Sequence, residues 1–208
     1  MKYKGVFFDL DGTLMDTSEG VFAGGRYAME KVGLEIPYVP NWNVFIGPPL
    51  GDCFRITFGI RDEEKIEQLC EAYHDFYMRE GQFLAKFYPG MVDVLRTLKE
   101  RGHILGIASM KNEDLVQAMC RHFGVDEYFS VQLGIDLTGT MTKADLLKKG
   151  FSMMGLKAKD CVLIGDTKTD VRGADEAGCE CIKVNWGFGF GADEKDAIST
   201  TSEILNLV

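Results

Sequence analysis

The chain has 208 residues, 46% of them hydrophobic and 26% charged, with a formal net charge of −9. That size suits one sizeable core or a core with a small accessory domain, the acidic balance argues against nucleic acid as a partner, and no apolar run is long enough to span a membrane. Six scattered cysteines include no CxxC pair, and the three histidines do not cluster with them. An ordinary zinc site is therefore not expected, and reduced thiols in a cytoplasmic protein are.

The first apolar run, Val6-Phe7-Phe8, reads as a short buried strand. It stops at Asp9, too soon for a signal peptide, and none is expected. Asp9-Leu10-Asp11-Gly12-Thr13 follows. Residues i and i+2 of a strand share a side, so both carboxylates can face one cavity as the chain turns, and Gly12 permits a sharp exit. Two carboxylates at the end of a buried strand are costly unless paired, and a hard divalent cation such as Mg²⁺ is a natural partner. A capped turn made of ordinary turn residues is the alternative. Asp16, Thr17 and Ser18 then offer caps to a helix carrying Val21, Ala28 and Val32, with Gly33 as its stop. Pro37, Pro40 and the stretch from Val44 to Gly51 read as loop. Ile66, Leu69, Cys70, Tyr73 and Tyr77 lie at the spacing of one helix face. Residues 15 to about 83 are thus expected to be helical, without a strand.

At Tyr88-Pro-Gly90 the pattern changes. Met91, Val94, Leu95 and Leu98 mark a helix that Gly102 stops, and residues 103–108 read as a strand ending at Ser109. Asn112 is placed to cap a helix with Leu115, Met119, His122 and Phe123 inward. Residues 130–133 form a short strand candidate. Lys143 opens a helix carrying Leu147, Phe151 and Met154, after a stretch rich in Thr and Gly. Residues 161–164 read as a buried strand ending at Gly165-Asp166. Val171, Ala174 and Ala177 mark the next helix, residues 181–184 the last strand, and Gly187–Gly191 a rim loop. Such alternation argues for an α/β fold, a parallel sheet with helices on both faces. The expected division is a core domain of residues 1–14 and 84–208 and a helical cap domain, 15–83, inserted after the first strand.

In open α/β sheets, ligands bind beyond the carboxyl ends of the strands. Three strand ends here carry chemistry: Asp9 with Asp11, Ser109, and Asp166 with Asp170 four residues on. Taken singly, Ser109 is an ordinary strand-end hydroxyl, Lys143 a surface lysine, and Asp166 and Asp170 helix caps. Their joint occurrence at successive strand ends of one sheet favours a site.

The set Asp9-Leu-Asp11-Gly-Thr13, Ser109, Lys143 and Gly165-Asp166 with Asp170 resembles, in order and spacing, the haloacid dehalogenase-like hydrolase superfamily. The helical insert resembles the cap of its phosphoglycolate phosphatase-like branch, as do Phe45-Ile-Gly-Pro-Pro-Leu50, Tyr88-Pro-Gly90 and Ala108-Ser-Met-Lys111. Met110 and Asn112 depart from the usual small polar residue and proline, which leaves the substrate open. The resemblance implies a Rossmann-like core and a Mg²⁺-dependent phosphatase acting on a small-molecule phosphate ester. Asp9 would be the nucleophile and Asp11 the acid and base. Ser109 and Lys143 would hold the phosphoryl group. The metal ligands would be Asp9, the Asp11 carbonyl and Asp166, with Asp170 behind them. Lys111 and, from the cap, Arg55 are candidate substrate contacts. A phosphomutase is the alternative within the superfamily. A dehalogenase needs neither Mg²⁺ nor Asp11, and a purely phosphate-binding protein needs a missing catalytic group. No membrane or nucleic-acid partner is expected, and the chain is expected to be a monomer or weak homodimer.

Overall fold

The structure, a computed structural model, describes residues 2–36, 38–46, 49–136 and 140–208, and all of them but the Asn43 side chain. Pro37, Gly47 and Pro48 of the expected loop, and Thr138 and Gly139 before Lys143, lie outside the described residues. In chain order the elements are β1 (Gly5–Phe8), β2 (Met15–Asp16), α1 (Ser18–Lys31), α2 (Leu50–Phe58), α3 (Glu63–Arg79), β3 (Lys86–Phe87), α4 (Met91–Glu100), β4 (Ile104–Asn112), α5 (Glu113–His122), β5 (Phe129–Ile135), α6 (Lys143–Met154), β6 (Cys161–Gly165), α7 (Lys168–Ala177), β7 (Glu180–Val184), β8 (Ala197–Ile198) and α8 (Ile204–Leu207). The chain forms two compact units, Met1–Asp16 with Phe87–Val208, and Thr17–Lys86. No helix among the described residues is long and apolar enough to cross a membrane.

The first unit is built on a six-stranded sheet in the order β5-β4-β1-β6-β7-β8, and every pairing in it is parallel. Val6, Phe7 and Phe8 are wholly buried, as a strand covered on both faces requires. Phe7 packs edge-on against Phe151 of α6, ring centres 5.3 Å apart, in a core that includes Leu133, Leu147, Leu163 and Ala174. β1 lies between β4 and β6, with Phe8 level with both Ile107 and Ile164. Strand order reverses here, so the residues that follow these three strands meet at one topological switch point.

Several local expectations need correction. The strand read as ending at Ser109 runs on to Asn112, through a register shift in which four steps along β4 match two along β5. The extra residues form a bulge, which re-aims Ser109 and Lys111 relative to the regular pleat. Asn112 does cap α5, accepting from the Asp114 N–H at 3.0 Å. The inward residues of α5 are Val116, Met119 and Cys120; His122 is exposed, because the buried arc lies one position from the one read. Val171 on α7 is likewise exposed, and Asp170, Gly173, Ala174 and Ala177 are buried.

The second unit consists of α1, α2, α3 and 3₁₀ turns at Trp42–Phe45 and Gly81–Phe83. Helix α2 falls partly on the expected loop: Pro49 is its N-cap and Gly51 sits in its first turn. Pro is tolerated at a helix start, where an N–H has no partner to lose. The unit's core is aromatic, with Phe45 against Phe54 at 5.1 Å and Tyr73 stacked on Tyr77 at 5.4 Å. Helix α1 meets it mainly through small residues. A Cβ on Gly24 would strike the Tyr73 ring, and one on Gly25 would crowd Trp42 and Phe45. Thr17 is the N-cap of α1, but its hydroxyl makes no cap bond.

Candidate active site

Asp9 follows β1 directly. Its N–H donates to the Ile164 carbonyl at 3.0 Å, so the sheet still holds its backbone while the chain turns away. Leu10 closes that turn, accepting from the Leu14 and Met15 N–H groups, and Gly12 takes a φ of 77°, in the region that favours glycine.

The Asp9 carboxylate receives the Leu10 N–H at 2.8 Å and the Lys143 ammonium at 2.9 Å, both on Oδ1. Lys143 also reaches Asp170 Oδ1 at 2.8 Å and the Ala108 carbonyl at 2.8 Å. The contact with the Ala108 carbonyl is a hydrogen bond, and those with the two carboxylates are ion pairs. A Cβ on Gly173 would strike the stem of Lys143, so α7 approaches α6 closely here. The ammonium thus belongs to the site and is buried, not the surface lysine its composition alone suggests.

Asp170 has two roles on two oxygens. Its Oδ2 accepts from the N–H and hydroxyl of Thr167, at 3.0 and 2.6 Å, in a capping box at the start of α7. Its Oδ1 meets Lys143. Asp166 directly follows β6 and is fully buried. The Thr13 hydroxyl donates to its Oδ1 at 3.1 Å, and the N–H groups of Phe188 and Gly189 donate to its Oδ2 at 2.7 and 3.3 Å.

Asp11 points elsewhere. Both its oxygens lie 2.9 Å from Lys111 Nζ. Ser109 is buried, and its hydroxyl oxygen accepts from the Lys111 N–H at 3.3 Å. Asp9, Asp11, Ser109, Lys111, Lys143, Asp166 and Asp170 therefore all belong to one unit and to one end of its sheet. Arg55 belongs to the helical unit, where its guanidinium pairs with Asp52 at 3.0 Å and with Glu63.

The charges are unbalanced. Burial pushes the Asp9 carboxyl up to about 7; Lys143 opposes this, and Asp170, Asp166 and Asp11 add to it. Burial likewise pushes Asp166 up to about 6, against the pull of the Phe188 N–H. Burial alone would lower the Lys143 ammonium, but the carboxylates of Asp9 and Asp170 outweigh it and hold Lys143 above its ordinary value. One ligand oxygen each from Asp9, Asp166 and Asp170 lie within 4.8 Å of one another, and the Lys143 ammonium is paired with two of the three, Asp9 and Asp170. An all-oxygen, net-negative cluster of this kind fits a hard divalent cation better than a soft one. The Asp11 side chain is not part of it.

Two contributors had no role in the sequence reading. Thr13 appeared only as part of a motif, and the loop after β7 only as a rim. The Trp186 indole donates to the Thr13 carbonyl at 3.2 Å and the Phe190 N–H to the Asp166 carbonyl at 2.9 Å. The alternating glycines in Gly187-Phe-Gly-Phe-Gly191 were the available signal: they let a backbone approach a buried carboxylate closely.

Residues 6–184 match the model of the haloacid dehalogenase-like hydrolases. The chain belongs to that family. Among its relatives, a 5'-nucleotidase of Pseudomonas aeruginosa is 35% identical over 190 residues, 91% of this chain and 86% of that protein. A tyrosine-protein kinase, PtkA, of Mycobacterium tuberculosis is 32% identical over 94% of this chain and 66% of its own length. The solved structure of a haloacid dehalogenase-like hydrolase from Streptococcus pneumoniae superposes with a TM-score of 0.87 at 27% identity, covering 99% of this chain and 98% of that one.

Proposed function

We propose that this hydrolase is a phosphatase that cleaves a small phosphate monoester through a phosphorylated Asp9, with Mg²⁺ held by Asp9, Asp166 and the Asp11 main-chain carbonyl, and Asp170 behind them. The observation that carries the reading is the fixation of Asp9. Both bonds to its carboxylate fall on Oδ1, so Oδ2 is the oxygen left to attack phosphorus. Lys143 keeps the nucleophile and an arriving phosphoryl group together by offsetting their negative charge. Ser109 and the N–H groups of the adjoining bulge would hold phosphoryl oxygens. Asp11 would give a proton to the departing ester oxygen and later accept one from the attacking water. The cation, when bound, would supply charge neutralisation and alignment.

The helical unit Thr17–Lys86 carries none of the residues placed in these steps, and its proposed role is selection of the leaving group and exclusion of water. Arg55 belongs to that role. The 5'-nucleotidase relative puts nucleoside 5'-monophosphates first among candidate substrates; phosphoglycolate and sugar phosphates follow. All six cysteines are free, which suits a reducing, cytoplasmic setting, and the reading includes a monomer or weak homodimer.

The test is phosphate release from a panel of monoesters, with Mg²⁺ and with excess chelator, together with acid-quench trapping of labelled phosphate on Asp9. Release that needs Mg²⁺, with label lost in Asp9→Asn, is the expected result. Undiminished turnover in chelator, or label elsewhere, overturns the reading. Isomerised sugar phosphate without net release makes the protein a phosphomutase.

A further inference from the structure

We propose that the backbone of the Trp186–Phe190 loop is a metal-selectivity device: it occupies Oδ2 of Asp166, leaves only Oδ1 for a cation, and so favours Mg²⁺ over Ca²⁺. This rests on the Mg²⁺ reading above.

The two oxygens of Asp166 are treated very differently. Oδ2 accepts two N–H groups, from Phe188 at 2.7 Å and Gly189 at 3.3 Å. Backbone also walls it in: a Cβ on Gly12 or on Gly187 would collide with that oxygen. Oδ1 has a single donor, the Thr13 hydroxyl at 3.1 Å. A carboxylate has about four lone-pair sites, so the spare capacity lies on Oδ1. The loop is fixed on both sides of the contact, by the Trp186 indole on the Thr13 carbonyl and by the Phe190 N–H on the Asp166 carbonyl. A Cβ on Gly189 would collide with the Asp166 carbonyl, so the glycines are what lets the loop sit this close.

Coordination chemistry turns this asymmetry into selectivity. Ca²⁺ takes six to eight oxygens and readily uses both oxygens of one carboxylate. Mg²⁺ requires near-octahedral geometry with short bonds. Binding both oxygens of Asp166 would require Oδ2 to give up two N–H bonds in a buried site. The loop therefore penalises Ca²⁺ and leaves one-oxygen ligation untouched.

The experiment measures Mg²⁺ and Ca²⁺ dissociation constants calorimetrically on the full chain, without substrate, for the native protein, Gly189→Ala and Trp186→Phe. Circular dichroism checks the fold of each. Gly189→Ala should narrow the preference for Mg²⁺ over Ca²⁺ at least tenfold, mainly by strengthening Ca²⁺. Trp186→Phe, which keeps every glycine and an aromatic ring but removes the indole donor, should shift it the same way by several-fold. Equal losses for both ions, or an unchanged ratio, overturn the inference. If Gly189→Ala does not fold, Trp186→Phe decides. A native protein that binds neither ion overturns the Mg²⁺ reading itself, and the inference with it.

Discussion

Lys111 holds both carboxylate oxygens of Asp11, with Nζ 2.9 Å from each. Without substrate, the group proposed to handle the leaving-group proton is committed to an ion pair. If Lys111 is also a substrate contact, an arriving phosphoryl group would compete for the same ammonium. Lys111→Met should therefore affect esters unequally. For alkyl phosphates, whose leaving oxygen needs a proton, kcat/KM should fall by about 10²-fold or more, within the range general acid catalysis supplies. An activated aryl phosphate should lose much less. Equal losses on both substrates would make Lys111 a phosphate ligand only.

Asp9→Asn keeps the shape of the side chain and removes the attacking charge. Turnover should fall by roughly three orders of magnitude or more on every substrate. A purified, folded variant retaining a tenth of native activity would show that another group attacks.

Lys143→Met should cost stability as well as activity. The lysine is buried between Asp9 and Asp170, and its removal leaves two carboxylates facing each other. A loss of about 3–5 kcal/mol is expected in urea unfolding without metal, as for other broken buried pairs. A loss smaller than about 1 kcal/mol would mean that the two aspartates are not held charged around it.

Metal and pH should be linked. Asp9 and Asp166 sit at about 7 and about 6 in the folded, metal-free protein, against an ordinary 3.8. The folded state thus binds these protons more tightly than the unfolded state does. Their contribution to stability is full below the ordinary value and is lost as pH rises through the two folded values. A bound cation offsets that loss. The rise in melting temperature on adding Mg²⁺ should be small at pH 5 and grow towards pH 8; a constant rise would break the link.

Arg55→Ala should change the melting temperature little, since its ion pairs with Asp52 and Glu63 are half-buried and exposed ones respectively, of the kind that contribute little to stability. If Arg55 helps select the leaving group, relative kcat/KM among natural esters should shift while an aryl phosphate is hydrolysed as before. No shift on any ester would leave it only those pairs within its own unit.

The polar residues that follow the apolar runs of β1, β4 and β6 were legible in the sequence because buried parallel strands read as apolar runs, and polar residues where those runs stop stand out. Asp9, Ser109 and Asp166 were found in this way. Helix α2 was not, since Pro49 and Gly51 mask a helix whose first turn tolerates both. The buried face of α1 was mostly missed: Gly20, Gly24 and Gly25 lie on it, and periodicity counts large apolar side chains. The Lys111–Asp11 pair and the loop's hold on Asp166 join residues 100 and 22 or more positions apart. No local spacing rule reports such meetings.

The central position of β1 also sets a timetable. Gly5 of β1 aligns with Ile104 on one side and with Cys161 on the other. On a translating ribosome, β1 must wait for more than 150 further residues before both its edges are covered. The helical unit Thr17–Lys86 has its own aromatic core and is complete long before that. A nascent chain should therefore protect this unit from proteases first, while the strand that leads to Asp9 keeps open edges that invite misassembly. A chain stopped between β5 and β6 would carry a formed insert and half a sheet, with the strand that leads to Asp9 still unpaired on one side.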